Sequence, residues 1–417
     1  MNYKDTLEFA LSLDNNDPLK EYRKEFHIPK TTNGEECIYF CGNSLGLQPK
    51  RTKESVNQEI KDWAELAVEG HFHAKNPWMP YHEFLTNSYA KIVGADPSEV
   101  IAMNTLTVNL HLMMVSFYHP NQKKHKILIE SDAFPSDIYA VESQIKYHGL
   151  NPQDSLIKIS PRKGEFCVRT EDIENVIKEQ KDEIALIMLG GVNYYTGQVF
   201  DIEKISKLAK DYGITIGFDL AHAAGNINLE LNKWGVDFAA WCSYKYLNSG
   251  PGSIGGAFIH KKHHNKEIKR FEGWWGHNKD NRFKMPDKFE AINSSEAWQL
   301  SNPPILSLAA VKSALSIFDE VGMEKLINKS KNLTDYLVFL LENIESNKIN
   351  IITPESRGCQ ISIQVQDSKK DLFDLITQKG VMADWREPDV IRIAPVPLYN
   401  SFSDVFRFYN ILKDSIE

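Results

Sequence analysis

Short apolar runs rich in β-branched residues alternate with longer amphipathic stretches between residues 126 and 260. This alternation is typical of βαβ units, in which helices cover a sheet of parallel strands. The predicted strands are 126–129, 156–159, 184–188, 214–218, 238–242 and 254–259, and the predicted helices are 137–148, 170–180 and 202–212. The pattern therefore predicts an α/β domain with a mostly parallel central sheet covered by helices.

A second pattern begins after Asn302-Pro303-Pro304, which breaks helices because proline lacks a backbone donor. Two long helical periodicities, 306–321 and 324–345, are followed by predicted strands at 349–352, 360–365 and 390–393 and helices at 372–379 and 405–412. This order predicts a small C-terminal α+β domain. We expect an N-terminal segment (1–70) that packs on both domains, a large α/β domain (71–309) and the small domain (310–417).

The composition is that of an ordinary folded, soluble chain, because 42% of the 417 residues are hydrophobic and 25% are charged. Lys and Arg total 48 against 56 Asp and Glu, a net charge of −8, and no basic run is present. Nucleic acid is therefore excluded as an expected partner. No uninterrupted apolar stretch reaches about 18 residues and the start lacks a signal-peptide pattern, so we expect a cytoplasmic protein without membrane contact.

The cysteines predict neither a disulfide framework nor a metal site. Five are scattered over the chain, an odd number, which is typical of reduced thiols. Cys37 and Cys41 are four residues apart, but no second Cys or His pair follows at the spacing of a zinc site. We therefore expect no metal.

Two strand ends carry the candidate chemistry. Asp219 follows an apolar strand within 217–226, at the edge where open α/β sheets bind ligands, although a capping or turn role is the alternative. Lys245 follows the next strand, between Tyr244 and a glycine-rich turn. Desolvation beside an electron-poor cofactor would make its amine nucleophilic, and an ion-paired surface lysine is the alternative.

An aspartate and a lysine at these positions favour pyridoxal phosphate, whose pyridine nitrogen needs a carboxylate and whose aldehyde needs an amine. Its phosphate needs a cradle, which the predicted helix start at 104–110 supplies through hydroxyls and backbone N–H groups. Its ring needs an aromatic neighbour, and Phe134 follows the strand 126–129.

From about residue 42 to residue 410 the chain resembles the kynureninase family, which are pyridoxal phosphate-dependent hydrolases of fold type I within the class V aminotransferase superfamily. The motifs that carry the resemblance are NTLTVNLH (104–111), AFPSD (133–137), YYTGQ (194–198), GFDLAHAAGN (217–226), WCSYKYLNSGPG (241–252), GWWGH (273–277), SNPPI (301–305) and IRIAPVPLYNSF (391–402). FDLAH and SYKYLN alone indicate only the superfamily, whereas GWWGH, SNPPI and APVPLYNSF make the match specific.

The resemblance implies a role for each matching residue. Lys245 would bond the cofactor's aldehyde, Asp219 would keep its ring nitrogen protonated, and His222 would contact its hydroxyl face. Phe134 would stack on the ring, and Arg392 would bind the substrate α-carboxylate through its planar fork. The residues implied at the phosphate or neighbouring groups are Leu106, Thr107, Tyr244, Trp274 and Asn302.

In this family some of these residues come from a partner subunit, which the resemblance implies for Trp274 and Asn302. A homodimer with shared active sites is therefore expected. Adjacent residues of an extended segment point to opposite sides, so one of the two tryptophans in GWWGH should face a site, and we favour Trp274.

The implied reaction is hydrolysis of L-kynurenine to anthranilate and L-alanine, in tryptophan degradation or NAD biosynthesis. Lys245 would remove the α-proton, and Tyr244 would donate or relay a proton when the Cβ–Cγ bond breaks. His71, Ser301 and Asn302 match members that use 3-hydroxykynurenine, so 3-hydroxy-L-kynurenine is a second expected substrate, with an exposed loop histidine as the alternative for His71. Gly190 is a departure, because some relatives have a hydroxyl residue there.

Three alternatives share part of this pattern. A cysteine desulfurase or a small-acceptor aminotransferase would also have Asp219, His222 and Lys245. A desulfurase needs a mobile catalytic cysteine, for which Cys359, just before a predicted strand, is a poor candidate. A catalytically silent scaffold would have lost the lysine or the phosphate cradle, and both are present.

Overall fold

The computed structural model describes residues 2–366 and 370–416. Its helices are α1 (Leu7–Asn15), α2 (Arg51–Leu66), α3 (Gly70–His73), α4 (Thr86–Val93), α5 (Leu106–Phe117), α6 (Pro135–Tyr147), α7 (Pro152–Ser155), α8 (Thr170–Gln180), α9 (Ile202–Asp211), α10 (Leu231–Trp234), α11 (Ile305–Val321), α12 (Met323–Glu342), α13 (Asp371–Gln378) and α14 (Phe402–Ile416). Its strands are β1 (Ile38–Tyr39), β2 (Val100–Ala102), β3 (Lys126–Glu130), β4 (Leu156–Ile159), β5 (Ile184–Gly190), β6 (Thr215–Asp219), β7 (Phe238–Trp241), β8 (Gly256–Ile259), β9 (Ile349–Ile351), β10 (Ile361–Val365), β11 (Val381–Met382), β12 (Asp384–Arg386) and β13 (Val390–Ile393). None of these helices is long and apolar enough to span a membrane.

The central sheet has seven strands in the order β2-β8-β7-β6-β5-β3-β4, and β3 to β7 run parallel as predicted. The predicted strand at 254–259 is present as β8, but it pairs antiparallel with both β7 and β2. A parallel return needs a long crossover, usually a helix, and the connection 242–255, described throughout, contains none. The three-residue β2 was missed because so short a run carries no periodicity.

Helices cover both faces of this sheet, as the nearly continuous apolar strands require. In β5, Ile187 and Leu189 enter one hydrophobic core, whereas Leu186 and Met188 enter the core on the opposite face. Burial on both sides therefore leaves only the strand ends available to a ligand.

The small sheet has the order β12-β13-β10-β9, with antiparallel pairing throughout. Ile363 of β10 lies opposite Ile391 of β13, and both enter a separate core formed with α12, α13 and α14. Ser362 and Arg392, which are also opposite each other, point to the other face because strand side chains alternate. This alternation directs Arg392 toward the large sheet.

The N-terminal segment contributes to both cores. Phe26 and Leu47 belong to the core of the large sheet, whereas Ile38 and Phe40 belong to that of the small sheet. Its short strand β1 pairs in parallel with β11, a pairing that the sequence did not predict. The backbone N–H of Gly46 donates to the carbonyl of Tyr244 at 2.8 Å, which holds the segment against the lysine-bearing turn.

Candidate active site

One cavity of about 310 Å³ lies at the carboxyl ends of the central strands. β3, β5 and β6 end there in Glu130, Gly190 and Asp219. This is the edge at which open α/β sheets bind ligands. Eight residues singled out from the sequence line it: Leu106, Thr107, Phe134, Asp219, His222, Tyr244, Lys245 and Arg392.

Lys245 forms a hydrogen bond with a histidine within the cavity. Its Nζ atom lies 3.0 Å from Nε2 of His222, and the described residues place no carboxylate within salt-bridge distance of it. Burial and the positive charge of Lys245 hold the pKa of His222 well below its ordinary value, so the imidazole is neutral and accepts the bond. Nδ1 of His222 is buried and has no partner in the described chain, which leaves one ring nitrogen for a bound group.

Three buried carboxyl groups line the cavity: Glu130 and Asp219 at strand ends and Asp137 in the first turn of α6. The N–H of Ala221 donates to Oδ1 of Asp219 at 2.6 Å. Burial raises the pKa of Asp219, and burial together with the neighbouring Asp219 raises the pKa of Asp137. Burial also raises the pKa of Glu130 to about 7, although the N–H of Gly190 donates to it. A cationic N–H group beside Asp219 would stabilise its carboxylate form.

Two helices begin at the wall of the same cavity. α5 begins at Leu106 after Thr105, whose side chain does not cap it, and no described side chain accepts from the first N–H groups of the helix. α6 begins at Pro135, and its Ser136 Oγ lies 2.9 Å from Thr107 Oγ1. Open N–H groups, hydroxyls and the positive ends of two helix dipoles form a site suited to an anion such as phosphate.

Phe134, the residue just before α6, supplies an aromatic face to the cavity. Its side chain is 45% exposed, and the ring of Tyr194 packs edge-on against it with centroids 5.2 Å apart. Nζ of Lys245 lies 5.9 Å from the centroid of the Phe134 ring. The cavity therefore offers a partner to each part of pyridoxal phosphate. Phe134 suits its planar ring, the helix starts suit its phosphate, Asp219 suits its ring nitrogen and Lys245 suits its aldehyde carbon.

Arg392 enters the cavity from the small sheet. Its side chain is 1% exposed, Nη1 donates to the carbonyl of Tyr194 at 2.6 Å, and Nη2 donates to the carboxylate of Asp384. Burial of a guanidinium requires such partners, because an unpaired buried charge is costly. The arginine is thus held rigidly at the cavity wall.

The sequence missed several lining residues. Asn43 and Ser44 come from the turn-rich stretch 41–46, to which no chemistry was assigned, and Arg386 comes from β12, which was not predicted. Asp137 stands in the AFPSD motif without a role of its own. The one signal for Arg386 is its spacing of two residues from Asp384, which places both side chains on one face of a strand. This signal can be used only when the pairing of that strand with the Arg392 strand is known.

Four sequence-derived candidates lie outside this cavity. Nδ1 of His71 is 2.9 Å from the carbonyl of Val68, and the Nε1 of Trp274, a 39% exposed side chain, donates to the carbonyl of Arg282 at 3.1 Å. Ser301 and Asn302 are exposed. A contribution of these four to the site stays a prediction.

Cys359 does not behave as a desulfurase nucleophile. Its side chain is buried, and burial raises the pKa of its thiol to about 12, so the thiolate is scarce at neutral pH. Its backbone N–H donates to Oδ1 of Asn226 at 2.9 Å, which anchors the segment. The cysteine is therefore neither mobile nor activated.

Comparison with known proteins points in the same direction. Curated kynureninases from Christiangramia forsetii and Flavobacterium psychrophilum are 54% and 53% identical to this chain, and each match covers 100% of the chain and 99% of the relative. The kynureninase from Myxococcus xanthus is 50% identical over 99% of the chain and 97% of its own length. Family models described as the kynureninase C-terminal domain and the DegT/DnrJ/EryC1/StrS aminotransferase family match residues 326–412 and 80–235.

Solved structures with low identity share the fold. The apo structure of a cysteine desulfurase from Thermococcus onnurineus NA1 has a TM-score of 0.77 at 18% identity and covers 95% of this chain and 98% of its own. A C-DES variant with glycine covalently linked to its PLP cofactor has a TM-score of 0.77 at 16% identity, covering 91% and 96%. At these identities the likeness shows the fold alone.

The fold, the site and the curated relatives together define the class, a pyridoxal phosphate-dependent enzyme of fold type I. Identity of about half over the full length narrows this class further. The chain belongs to the kynureninase family.

Proposed function

We propose that this chain hydrolyses L-kynurenine to anthranilate and L-alanine, and 3-hydroxy-L-kynurenine to 3-hydroxyanthranilate and L-alanine. The observation that carries the proposal is the arrangement of Lys245, Asp219 and Arg392 around one cavity in a chain that is 54% identical to a kynureninase. An amino acid entering this cavity meets a nucleophilic amine, a carboxyl group for the cofactor ring and a guanidinium for its own carboxylate.

The cofactor would be held from both ends of the cavity. The first turn of α5, with Leu106 and Thr107, would bind its phosphate, and Asp219 would pair with its ring nitrogen. Phe134 would pack on the ring, and His222 would offer Nδ1 to its hydroxyl group. When bound, pyridoxal phosphate supplies an electron sink for the electrons released from the substrate Cα.

The chain's own residues supply the proton transfers. Lys245, as a free amine, accepts the proton from the substrate Cα, while Arg392 holds the α-carboxylate in a fixed orientation. One water is consumed at the γ-carbonyl carbon when the Cβ–Cγ bond breaks. Burial raises the pKa of Tyr244 above its ordinary value, so its hydroxyl stays protonated and is suited to donate a proton at this step.

The aryl end of the substrate would be recognised by residues outside the cavity of a single chain. Trp274, Ser301 and Asn302 are exposed or partly exposed, which suits a contribution to the cavity of a second copy. His71 would hydrogen-bond to the 3-hydroxyl group of the substrate. The proposal therefore includes a homodimer with shared active sites. It also places the protein in the cytoplasm and its reaction in tryptophan degradation or NAD biosynthesis.

The proposed domain division is 1–70, 71–309 and 310–417. The separate cores of the two sheets support two domains, and the side chains of α12 divide between them, with Leu326 in the first and Leu333 in the second. In this arrangement the small domain carries Arg392 to a cofactor site built by the large domain.

The test is to mix the purified, pyridoxal phosphate-loaded protein with each substrate separately. Loss of substrate absorbance is followed, and alanine is identified by chromatography. We expect alanine from both substrates. No alanine from either, with the visible absorbance of the bound cofactor retained, would refute the proposal and favour another fold-type-I activity, such as an aminotransferase.

A matched pair of histidine variants tests the aryl recognition. His71→Ala should change the ratio of the two rates, whereas His73→Ala, whose side chain is 69% exposed and sits near Glu69, should leave the ratio unchanged. An unchanged ratio in both variants would remove His71 from the proposal.

A further inference from the structure

The small sheet places a second guanidinium in the cavity beside Arg392. We infer that Arg386 binds the substrate α-carboxylate together with Arg392, and that Asp384 positions both arginines for it. The inference rests on the proposed function, because it takes an amino-acid substrate from there. It adds a specificity-determining residue, Arg386, and a positioning residue, Asp384.

The strand register brings the three side chains to one face. Asp384 of β12 lies directly opposite Arg392 of β13. Arg386 is two residues beyond Asp384 on the same strand, so its side chain points to the same side. Trp385, between them, points to the opposite face, where it packs against the core of the small domain. Both arginines accordingly line the cavity.

Asp384 is shared by the two guanidinium groups. Oδ2 of Asp384 accepts from Nη2 of Arg386 at 3.1 Å and also from Nη2 of Arg392. The Asp384 side chain is only 10% exposed, so these two partners account for its burial. A single carboxylate oxygen thus fixes the relative position of the two guanidinium groups.

Each of the two guanidinium groups has one N–H donor without a hydrogen-bond partner among the described residues. Nε of Arg386 and Nε of Arg392 are buried and have no hydrogen-bond partner among the described residues. A buried donor without an acceptor costs free energy, which a bound acceptor would recover. Two adjacent guanidinium groups with open N–H donors suit the two oxygens of a carboxylate.

The charges also fit a monoanion. Two guanidinium groups carry two positive charges at any working pH, and Asp384 offsets one of them. One positive charge remains at this wall, which an α-carboxylate would neutralise. Arg386 is 36% exposed, unlike the buried Arg392, so it stands nearer the solvent from which an amino acid arrives.

The test measures equilibrium binding rather than turnover. Cofactor-loaded protein is titrated with L-alanine, the amino-acid product, and with L-alaninamide, which has a neutral carboxamide in place of the carboxylate. The visible absorbance of the bound cofactor reports binding of either ligand. Arg386→Gln should weaken the binding of L-alanine roughly tenfold or more and change that of L-alaninamide by less than about twofold.

A matched control is Arg407→Gln, an arginine of the small domain that is 47% exposed and paired with Asp404 outside the cavity. It should bind both ligands as the wild type does. If Arg386→Gln does not fold, Arg386→Lys decides, because it keeps the charge without the fork and should still weaken L-alanine binding selectively. Equal losses for the two ligands, or no loss for either, would overturn the inference.

The role of Asp384 has a test with an unambiguous sign. If Asp384 only offset charge, Asp384→Asn would leave more positive charge and strengthen L-alanine binding. A positioning role predicts weaker binding, with partial recovery in Asp384→Glu. Wild-type protein that binds L-alanine but releases none from kynurenine would refute the proposed function while leaving the inference on Arg386 open to the same titrations.

Discussion

Nζ of Lys245 lies 3.0 Å from Nε2 of His222, and both side chains line the same cavity. The partner of the lysine is a neutral imidazole, because burial and the lysine charge lower the pKa of His222 well below its ordinary value. Among the described residues the lysine forms no ion pair with a carboxylate, whereas the exposed Lys233 pairs with Glu230. Its amine stays available for covalent attachment of the cofactor.

Replacing this lysine should abolish the reaction. Lys245→Ala removes the amine that we propose bonds the cofactor and accepts the α-proton, so turnover of L-kynurenine should fall by about 10³-fold or more. The visible absorbance band that arises from covalent attachment of the cofactor to this lysine should disappear as well. Lys233→Ala, at a 70% exposed position, is the control and should behave as the wild type. Hydrolysis by the Lys245 variant near the wild-type rate would contradict the mechanism.

Replacing Arg392 should affect the substrate and spare the cofactor. Arg392→Gln removes charge-assisted hydrogen bonds to the α-carboxylate, so the KM for L-kynurenine should rise about 10- to 100-fold. Asp384 keeps Arg386 as a partner, which limits the loss of stability. Absorbance spectra check that the cofactor remains bound. A variant that loses the cofactor would show that Arg392 serves a different group.

A substitution in the N-terminal segment where it packs against the turn of Lys245 should affect both stability and cofactor retention. A Cβ atom on Gly46 would lie 2.3 Å from the carbonyl oxygen of Lys245 and 2.3 Å from Oδ1 of Asn248. Gly46→Ala should therefore destabilise the protein by about 1–3 kcal/mol and weaken cofactor retention, because backbone must shift. Thermal unfolding and absorbance after gel filtration measure the two effects.

Gly149→Ala separates overlap from backbone strain. Gly149 has a φ of +74° with nothing within 4 Å of an added Cβ, so only strain of about 1 kcal/mol is expected. Cofactor retention should not change. If the Gly46 and Gly149 variants behave alike, the contact between the N-terminal segment and the lysine turn has no effect on the site.

Glu296 should make stability depend on pH. Burial alone would raise its pKa, but a hydrogen bond with His82 and the ammonium of Lys279 lower the pKa to about 2. Because the folded pKa lies below the unfolded one, the stabilisation is complete above about pH 5 and is lost as the pH falls toward 2.

Denaturant unfolding of Glu296→Gln beside the wild type measures this effect. The variant should be less stable at pH 7 by roughly 2–3 kcal/mol, and the difference should shrink by about 1 kcal/mol at pH 4. Glu324→Gln, in the first turn of α12, is a control with no ion pair among the described residues. A difference that is constant with pH would show that Glu296 acts through shape rather than charge.

The central sheet was largely predictable because its strands are short apolar runs whose neighbours are amphipathic helices. The direction of β8 was not, since residues 254–259 have the same composition as a parallel strand. Strands β1, β11 and β12 are two or three residues long, too short for a period of two to stand out from a loop.

The residues of the candidate site likewise fall into those that the sequence predicts and those that it does not. Asp219 and Lys245 could be singled out because each follows a buried strand with a motif around it. Asn43 and Arg386 could not, because their place at the cavity depends on how the N-terminal segment and the small domain pack against the large sheet. His71 and Asn302 carry a family motif but lie outside the cavity of one chain.

By itself the sequence determined the periodic elements, the class of chemistry and the lysine and aspartate that we propose for it. These features are local, because side-chain periodicity follows from the geometry of each helix or strand and a motif is a contiguous run. Only the tertiary structure decided that Asp384 ties Arg386 to Arg392 and that His222, not a carboxylate, meets Lys245. Such contacts depend on strand register, strand direction and domain packing, which leave no local pattern in the chain.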